Sequence, residues 1–513
     1  MYLLPLILLS TLLLLIIILK WKKNRYRKKG NFPPSPPKLP IIGNLHQLGK
    51  LPHQSLWRLS QLYGPIISLK LGSIQTTIIS SADAARGLFK THDLQTCSRP
   101  QTEGARKLTH NFHDLGFSPY GDYWREMRKV CVLELFSLKR IKSYQHIIEQ
   151  EMNSLIESIS ESASCGDVVD LSDKSMVFTA AIIFRIAFGK KVCKGDGFHE
   201  VVNEAEALLG SYSASELFPN FVGKAIDWFN GYQKRLNKVY NELSGLFQEV
   251  IDEHLCVGRD QEAKEDDIID VLLGLSNQQE QSASFNVSIT HDHIKGILLI
   301  VLLDMHEQSI FLGGLDTSSI TIVWAMAELT KKPKLMKKAQ QEIRRHMKNR
   351  GNITDKEIEQ FQYLKLIVKE TLRMHPPAPL LLPRQVMSHF KMEGFDFYPK
   401  TMVQINAWAI GRDPKCWKDP DEFMPERFAE SCIDFRGQNF EFLPFGAGRR
   451  ICPAINLGMK NVEVALANLL YHFDWKSPEG MKEEDLDMEE SMGFSLTIYK
   501  KLPLKLVPVP YIP

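Results

Sequence analysis

Phe445-Gly446-Ala447-Gly448-Arg449-Arg450-Ile451-Cys452-Pro453 joins a glycine-containing loop, two arginines and one cysteine to a helical apolar pattern running from Ile455 to Leu470. A thiol placed there is electrostatically poised. Backbone N–H groups at a helix start and adjacent guanidinium charge both favour the thiolate, the form that binds metals. A buried structural thiol is the plainer reading of the same residues, so the loop alone leaves both options open. The chain has eight cysteines, from Cys97 to Cys452, with no close pair. Neither a disulfide framework nor a zinc cluster is indicated, and most are expected to be buried, reduced thiols.

Working upstream, Glu370-Thr371-Leu372-Arg373 places two opposite charges at i and i+3 on one helix face. By spacing alone this is an exposed ion pair, worth roughly 0.3–0.5 kcal/mol. Trp124-Arg125-Glu126-Met127-Arg128 sets an indole and a guanidinium one turn apart, and by itself reads as a half-buried amphipathic face. Gly313-Gly314-Leu315-Asp316-Thr317-Ser318 puts two glycines before a hydroxyl residue. Glycine weakens a helix by about 1 kcal/mol and threonine can bond back to a carbonyl, so this stretch reads as a local kink or cap.

Taken together these segments resemble one family. The cysteine loop resembles the haem-binding signature of cytochromes P450, Phe-x-x-Gly-x-Arg-x-Cys-x-Gly, at Phe445, Gly448, Arg450 and Cys452, and departs from it at Ala454. Glu370 and Arg373 resemble its Glu-x-x-Arg helix motif, and Pro425-Glu426-Arg427-Phe428 the downstream segment whose arginine joins that pair. Trp124 to Arg128 matches the Trp-x-x-x-Arg element, and Gly313 to Ser318 the motif of the long helix over the haem. The Pro-rich stretch Phe32 to Pro40 and the run Pro40 to Asn44 look most similar to the plant microsomal type.

The resemblance implies a mainly α fold with small β-sheets, the cytochrome P450 fold, preceded by one transmembrane helix. It implies haem b with an axial thiolate from Cys452, in a loop shaped by Phe445 and Gly448. Trp124, Arg128 and Arg450 would face the haem propionates, a task suited to donor rings and planar cationic forks. Asp316 and Thr317 would be catalytic, Thr317 donating to dioxygen and holding a water while Asp316 links the site to solvent protons. The implied activity is monooxygenation: one atom of dioxygen enters a small lipophilic substrate, such as a terpenoid, phenylpropanoid or aldoxime, and the other leaves as water. Ala378 to Leu382 and Phe494 to Leu496 would lie near the substrate. Electrons would come from NADPH-cytochrome P450 reductase, since the chain has no Gly-x-Gly-x-x-Gly segment of its own. Arg449 is a candidate for that docking face. Two alternatives stay open: a haem-thiolate isomerase or dehydratase, and a non-catalytic membrane protein.

The ends and the composition fit this picture. A net charge of +3 in 513 residues gives no sign of a nucleic-acid partner. Tyr2 to Leu19 is uncharged and close to the roughly 20 residues that cross a bilayer, and Lys20 to Lys29 follows it with seven basic residues. This predicts an anchor over 1–20, a basic and Pro-rich hinge over 21–40, and a cytoplasmic catalytic domain over 41–513; the resemblance to the plant microsomal type implies that the membrane is that of the endoplasmic reticulum. Ile66 to Leu71 and Thr76 to Ile79 flank a Gly72-Ser73 turn and predict a hairpin; Met402 to Ile405 predicts a further strand. Helical spacing prevails from Ala82 to Leu372, with exposed connections expected near Gly258 to Asp267 and Ser276 to Ser288.

One departure threatens activity. The stretch Val301 to Ser309 makes the approach to Gly313 about nine residues longer than the family pattern. At about 100° per residue, nine residues rotate one side of a helix half a turn against the other. Either the segment loops out, or the preceding helix is displaced, or the reading of the transcript is unusual. His306 and Glu307 belong to no matched motif, which argues against metal or acid–base chemistry there.

Overall fold

The computed structural model describes residues 30–190, 198–218, 220–256, 267–279, 288–303, 317–348, 353–492 and 496–512. The expected anchor, the hinge's basic run, Asp316 and most of Val301 to Ser309 lie outside the described residues. Among those described, no helix is long and apolar enough to cross a membrane.

The expected hairpin is β1 (Ile66–Leu71) and β2 (Ile74–Ile79), antiparallel with Ile66 opposite Ile79. Beside β2 runs β4 (Met402–Ile405) in parallel, with Thr76 opposite Met402, and β3 (Arg384–Gln385) closes that edge antiparallel to β4. Parallel neighbours need a long crossover. Here the crossover is the helical body, so a small sheet ties the two ends of that body together. Val403 and Ile405 are buried against Ile66, Ile79 and Leu443 in a core that reaches Ala447 of the cysteine loop.

The body contains α1 (Asp122–Val130), α2 (Leu171–Phe188), α3 (Phe198–Gly210), α4 (Asn220–Phe229), α5 (His291–Leu303), α6 (Thr317–Lys331), α7 (Gln362–Met374) and α8 (Ile455–His472). Every residue of α6 from Ser319 to Thr330 is buried. A helix without a wet face belongs at the centre of a large core, and α6 packs on α2, α7 and α8. Each fully buried large apolar side chain, such as Phe188 or Leu466, contributes about 1.5–3 kcal/mol relative to exposure. Helix α5 also packs on α2; Val301, Leu302 and Leu303 are its last residues.

Two expectations are corrected. Ser276 to Gln279 is not loop but the end of a helix, Ile268–Gln279. Asp267 starts that helix by accepting from the Asp270 N–H at 2.9 Å, and the buried Ile268, Ile269 and Leu272 hold it to the core. The cysteines, too, are mostly not buried: of the seven described, Cys97 and Cys131 are buried, whereas Cys165, Cys256, Cys416 and Cys432 are exposed. The exposed thiols sit at helix ends and in loops: Cys165 ends the helix Gln145–Cys165, and Cys256 is the C-cap of the helix Tyr232–Leu255. None of the seven is in a disulfide.

Candidate functional site

The cysteine loop is closed by its own backbone. The Cys452 N–H donates to the Phe445 carbonyl at 3.1 Å, and Cys452 stands three residues before α8 begins. Gly448 has φ +68°, and a Cβ there would come within 2.4 Å of Asp93 Oδ1, so both conformation and space require glycine. Ala454, where the family pattern has glycine, has φ −98° and ψ 20° as the N-cap of α8. That φ lies outside the left-handed region, so the backbone does not require glycine at this position.

Asp93 locks the loop from the side. Its Oδ2 accepts from the Arg449 backbone N–H at 3.0 Å and from Arg449 Nη1 at 2.9 Å, while Oδ1 accepts from Arg384 Nη1 at 2.7 Å. Arg449, a candidate docking residue by sequence, is thus committed in part to the loop, with its side chain 47% exposed.

Behind the loop lies the charge network. Glu370 and Arg373 are fully buried and meet in two bonds of 2.8 Å, and Arg427 Nε reaches Glu370 Oε1 at 2.9 Å. The surplus donors are absorbed by carbonyls: Arg373 Nη1 bonds Gly411 and Pro420, and Arg427 Nη1 bonds Lys418. From Phe428, beside Arg427, rings continue through Phe442 at 5.3 Å and Phe435 at 6.5 Å to Phe445 at 5.5 Å. The network therefore bears on the loop through packed aromatics.

Cys452 faces a cavity of about 360 Å³, lined also by Arg99, Arg128, Arg384 and Arg450 and by Ile297, Ile300, Thr317, Leu381 and Leu496. Of the residues singled out by sequence, Phe445, Cys452, Arg450, Arg128 and Thr317 share this cavity. Trp124 and Gly448 stand outside its lining. The Trp124 indole N–H donates to the Leu115 carbonyl at 3.1 Å, and its ring carries the Arg450 guanidinium at 4.0 Å and that of Arg128 at 5.5 Å. Arg128 Nη2 donates to the Ile451 carbonyl at 2.7 Å, tying α1 to the loop. Ala378, Leu381 and Leu382 line the cavity as expected; Phe494 lies outside the described residues.

Sequence reasoning missed Arg99 and Arg384. Neither sits in a periodic pattern, and they reach Arg450 only through the fold. Arg99 Nη1 bonds the carbonyls of Leu382 and Pro383, and Arg384 Nη2 that of Ala447. Burial first, then the neighbouring guanidinium groups Arg450 and Arg384, hold Arg99 well below the usual arginine range. Burial, with Arg384 and Arg128 nearby, pulls Arg450 down to about 9. Three buried guanidinium groups, Arg99, Arg384 and Arg450, and the half-buried Arg128 line this cavity; Asp93 meets Arg384, and burying the cluster is costly unless further anions join it. Cations that could hold two carboxylates and a thiol that could bind a metal line the same cavity, and this donor set fits a haem.

Cys416 and Cys432 are exposed and lie outside the cavity lining. Replacing either by serine is expected to leave the reduced CO spectrum of the protein unchanged; a lost or shifted band in either variant would contradict this geometry.

Comparison with known proteins agrees with the geometry. The family model "Cytochrome P450" matches residues 33–503. Cytochrome P450 71B19 of Arabidopsis thaliana is 48% identical over 505 residues, covering 97% of this chain and 98% of that protein. Cytochrome P450 71B10 of the same plant is 49% identical over 507 residues, covering 98% of each. A solved zebrafish cytochrome P450 with progesterone matches at a TM-score of 0.71 and 23% identity, covering 90% of this chain and 99% of its own. With a full-length family match and near-half identity to these relatives, the chain belongs to the cytochrome P450 family of haem-thiolate proteins.

Proposed function

We propose that this chain is a membrane-anchored monooxygenase, with Cys452 as the axial ligand of haem b. It inserts one atom of dioxygen into a small lipophilic plant metabolite, such as a terpenoid, phenylpropanoid or aldoxime, and releases the other as water. The observation that carries this reading is the single cavity that holds the cysteine loop and guanidinium cluster together with Thr317 at the start of α6. When bound, the haem supplies the chemistry of O–O cleavage, favoured by an electron-rich thiolate. The chain's residues do the rest. Arg99, Arg128, Arg384 and Arg450 would hold the propionates. The buried apolar faces of α5 and α6 exclude water and orient the substrate. Thr317 would hold a proton donor at the start of α6, with Asp316 as the link to solvent.

Electrons come from NADPH through a membrane-bound P450 reductase. With an anchor at 1–20, a hinge at 21–40 and a catalytic domain at 41–513, the cavity would lie on the cytoplasmic side of the endoplasmic reticulum membrane. Phe221, Trp228 and Phe229 on α4 are 75–79% exposed, and such an apolar cluster suits a lipid surface.

The test is the reduced CO spectrum of membranes carrying the chain, then turnover of a lipophile panel with reductase and NADPH. Product that needs no NADPH would instead mark an isomerase or dehydratase. In this setting Thr317→Ala is expected to keep the spectrum and divert electrons to peroxide. Positioned proton transfer contributes about 10²–10⁴-fold; because water partly replaces a lost hydroxyl, product per NADPH is expected to fall by about tenfold or more. An unchanged ratio would assign Thr317 to helix structure alone, through the bond its carbonyl accepts from Thr321 Oγ1 at 2.7 Å.

A further inference from the structure

Asp93 opens the short helix Asp93–Thr96 and is 5% exposed. Its one carboxylate serves two arginines in different surroundings. Oδ1 accepts at 2.7 Å from Nη1 of Arg384, which is buried and lines the cavity. Oδ2 accepts at 2.9 Å from Nη1 of Arg449, whose side chain is 47% exposed. The carboxylate is fixed between them: Oδ2 also accepts from the Arg449 backbone N–H at 3.0 Å, and a Cβ on Gly448 would come within 2.4 Å of Oδ1.

The other cavity arginines are held differently. Among the described residues Arg99, Arg128 and Arg450 donate to backbone carbonyls, whereas Arg384 also meets a carboxylate. Its Nη2 donates to the Ala447 carbonyl at 2.9 Å, and its guanidinium lies 4.6 Å from the centre of the Phe89 ring. Burial pulls the Arg384 charge below the usual arginine range, and Asp93 is the largest influence against that pull. Attraction of Asp93 to Arg384 competes with its attraction to Arg449. How much of the carboxylate Arg384 receives therefore depends on a side chain at the surface.

We infer that Asp93 is a positioning residue for the electron step: it restrains Arg384 in the cavity wall, holds the reduction potential of the haem down, and relays to that wall the charge present at Arg449. The inference rests on the cavity being the haem chamber of a monooxygenase fed by a flavoprotein reductase. That reductase supplies one electron, ferric iron becomes ferrous, and positive charge at the wall favours the gain. With the carboxylate gone, Arg384 shows its full charge to the cavity and the potential rises. With Arg449 gone, the carboxylate turns wholly to Arg384 and the potential falls.

The measurement is the haem midpoint potential, by dye-mediated spectroelectrochemical titration of the full-length haem protein in nanodiscs of zwitterionic lipid. The original, Asp93→Asn, Arg449→Gln and the double variant are compared. Asp93→Asn is expected to raise the ferrous-to-ferric ratio at fixed potential by at least about threefold, which is about 28 mV at about 59 mV per tenfold. Arg449→Gln is expected to lower the potential, by at least about twice as much with Asp93 present as in the Asp93→Asn background. Such non-additivity is the mark of groups that act on one another. The fall should also survive about 1 M salt, where a Debye length of about 3 Å screens an exposed charge but not a buried pair.

Additive shifts, or a fall that vanishes in high salt, would mean that the two charges act independently through solvent, and overturn the relay. An unchanged potential in Asp93→Asn, with only haem content reduced, would assign Asp93 to loop structure alone. Should Asp93→Asn retain too little haem to titrate, Arg449→Gln decides by itself: a salt-resistant fall supports the relay and an unchanged potential overturns it. A normal reduced CO band and NADPH-dependent turnover in the original, with no shift in either variant, refutes only the role of Asp93. Absence of that band or turnover refutes the monooxygenase reading beneath it.

Discussion

Cys452→Ala is expected to abolish the thiolate-type absorption band of the reduced CO complex, with no residual fraction. The physical case is that no neighbouring sulfur can substitute. Cys131 also lines the cavity, but burial pushes its thiol up to about 12, so at neutral pH it remains protonated and a poor ligand. Cys97 is buried near the loop; burial first and then Asp93 raise its thiol as well, and its sulfur is turned to the Leu94 carbonyl at 3.4 Å. The loop itself does not depend on the side chain, because the bond from the Cys452 N–H to Phe445 is made by backbone. Far-ultraviolet circular dichroism of the variant should therefore match the original while the band disappears. A band retained at the thiolate position would mean that another residue ligates the iron and that the reading of the loop is wrong.

The second large effect is expected at Glu370. Substitution by alanine leaves Arg373 and Arg427 facing each other without their shared carboxylate, in a site where Glu370 and Arg373 are wholly buried. It also strips the Met424 backbone N–H of its acceptor, Glu370 Oε1 at 2.8 Å. Breaking a buried pair by removing one partner costs about 3–5 kcal/mol. Total stabilities of about 5–15 kcal/mol make that a large share. Because the aromatic chain from Phe428 to Phe445 transmits the displacement to the cysteine loop, haem content should fall together with stability. Denaturant titration and the CO-reactive fraction per milligram measure the two. A loss under about 1 kcal/mol with full haem content would show that the pair behaves as an exposed one.

These two sites show how unevenly the molecule could be read in advance. Glu370 and Arg373 are legible as a helix pair at i and i+3, but the same spacing serves a trivial surface bridge. What turns it into a core network is Arg427, more than fifty residues away, and the carbonyls of Gly411, Pro420 and Glu422. The arginines divide in the same way. Arg128 and Arg450 stand in motifs with a fixed spacing, whereas Arg99 and Arg384 carry no local signal and meet Arg450 only after the sheet has closed. Trp124 was expected to face the propionates; its N–H is spent on Leu115, and its ring supports two of the guanidinium groups.

The sequence by itself determined the family, the mainly α body with its hairpin, and the cysteine at the mouth of α8. Each of those rests on short-range facts: apolar periodicity, turn chemistry, and a ligand loop whose residues are consecutive. Only the tertiary structure decided that the backbone at Ala454 does not require glycine, because that depends on a dihedral angle of −98° and not on residue type. It likewise decided that four guanidinium groups and a carboxylate on α3 line the same cavity. Convergence of that kind is made by the parallel crossover from β2 to β4 and by the packing of α6 against α7 and α8. Contacts between residues hundreds of positions apart leave no period along the chain, and only packing brings them within reach.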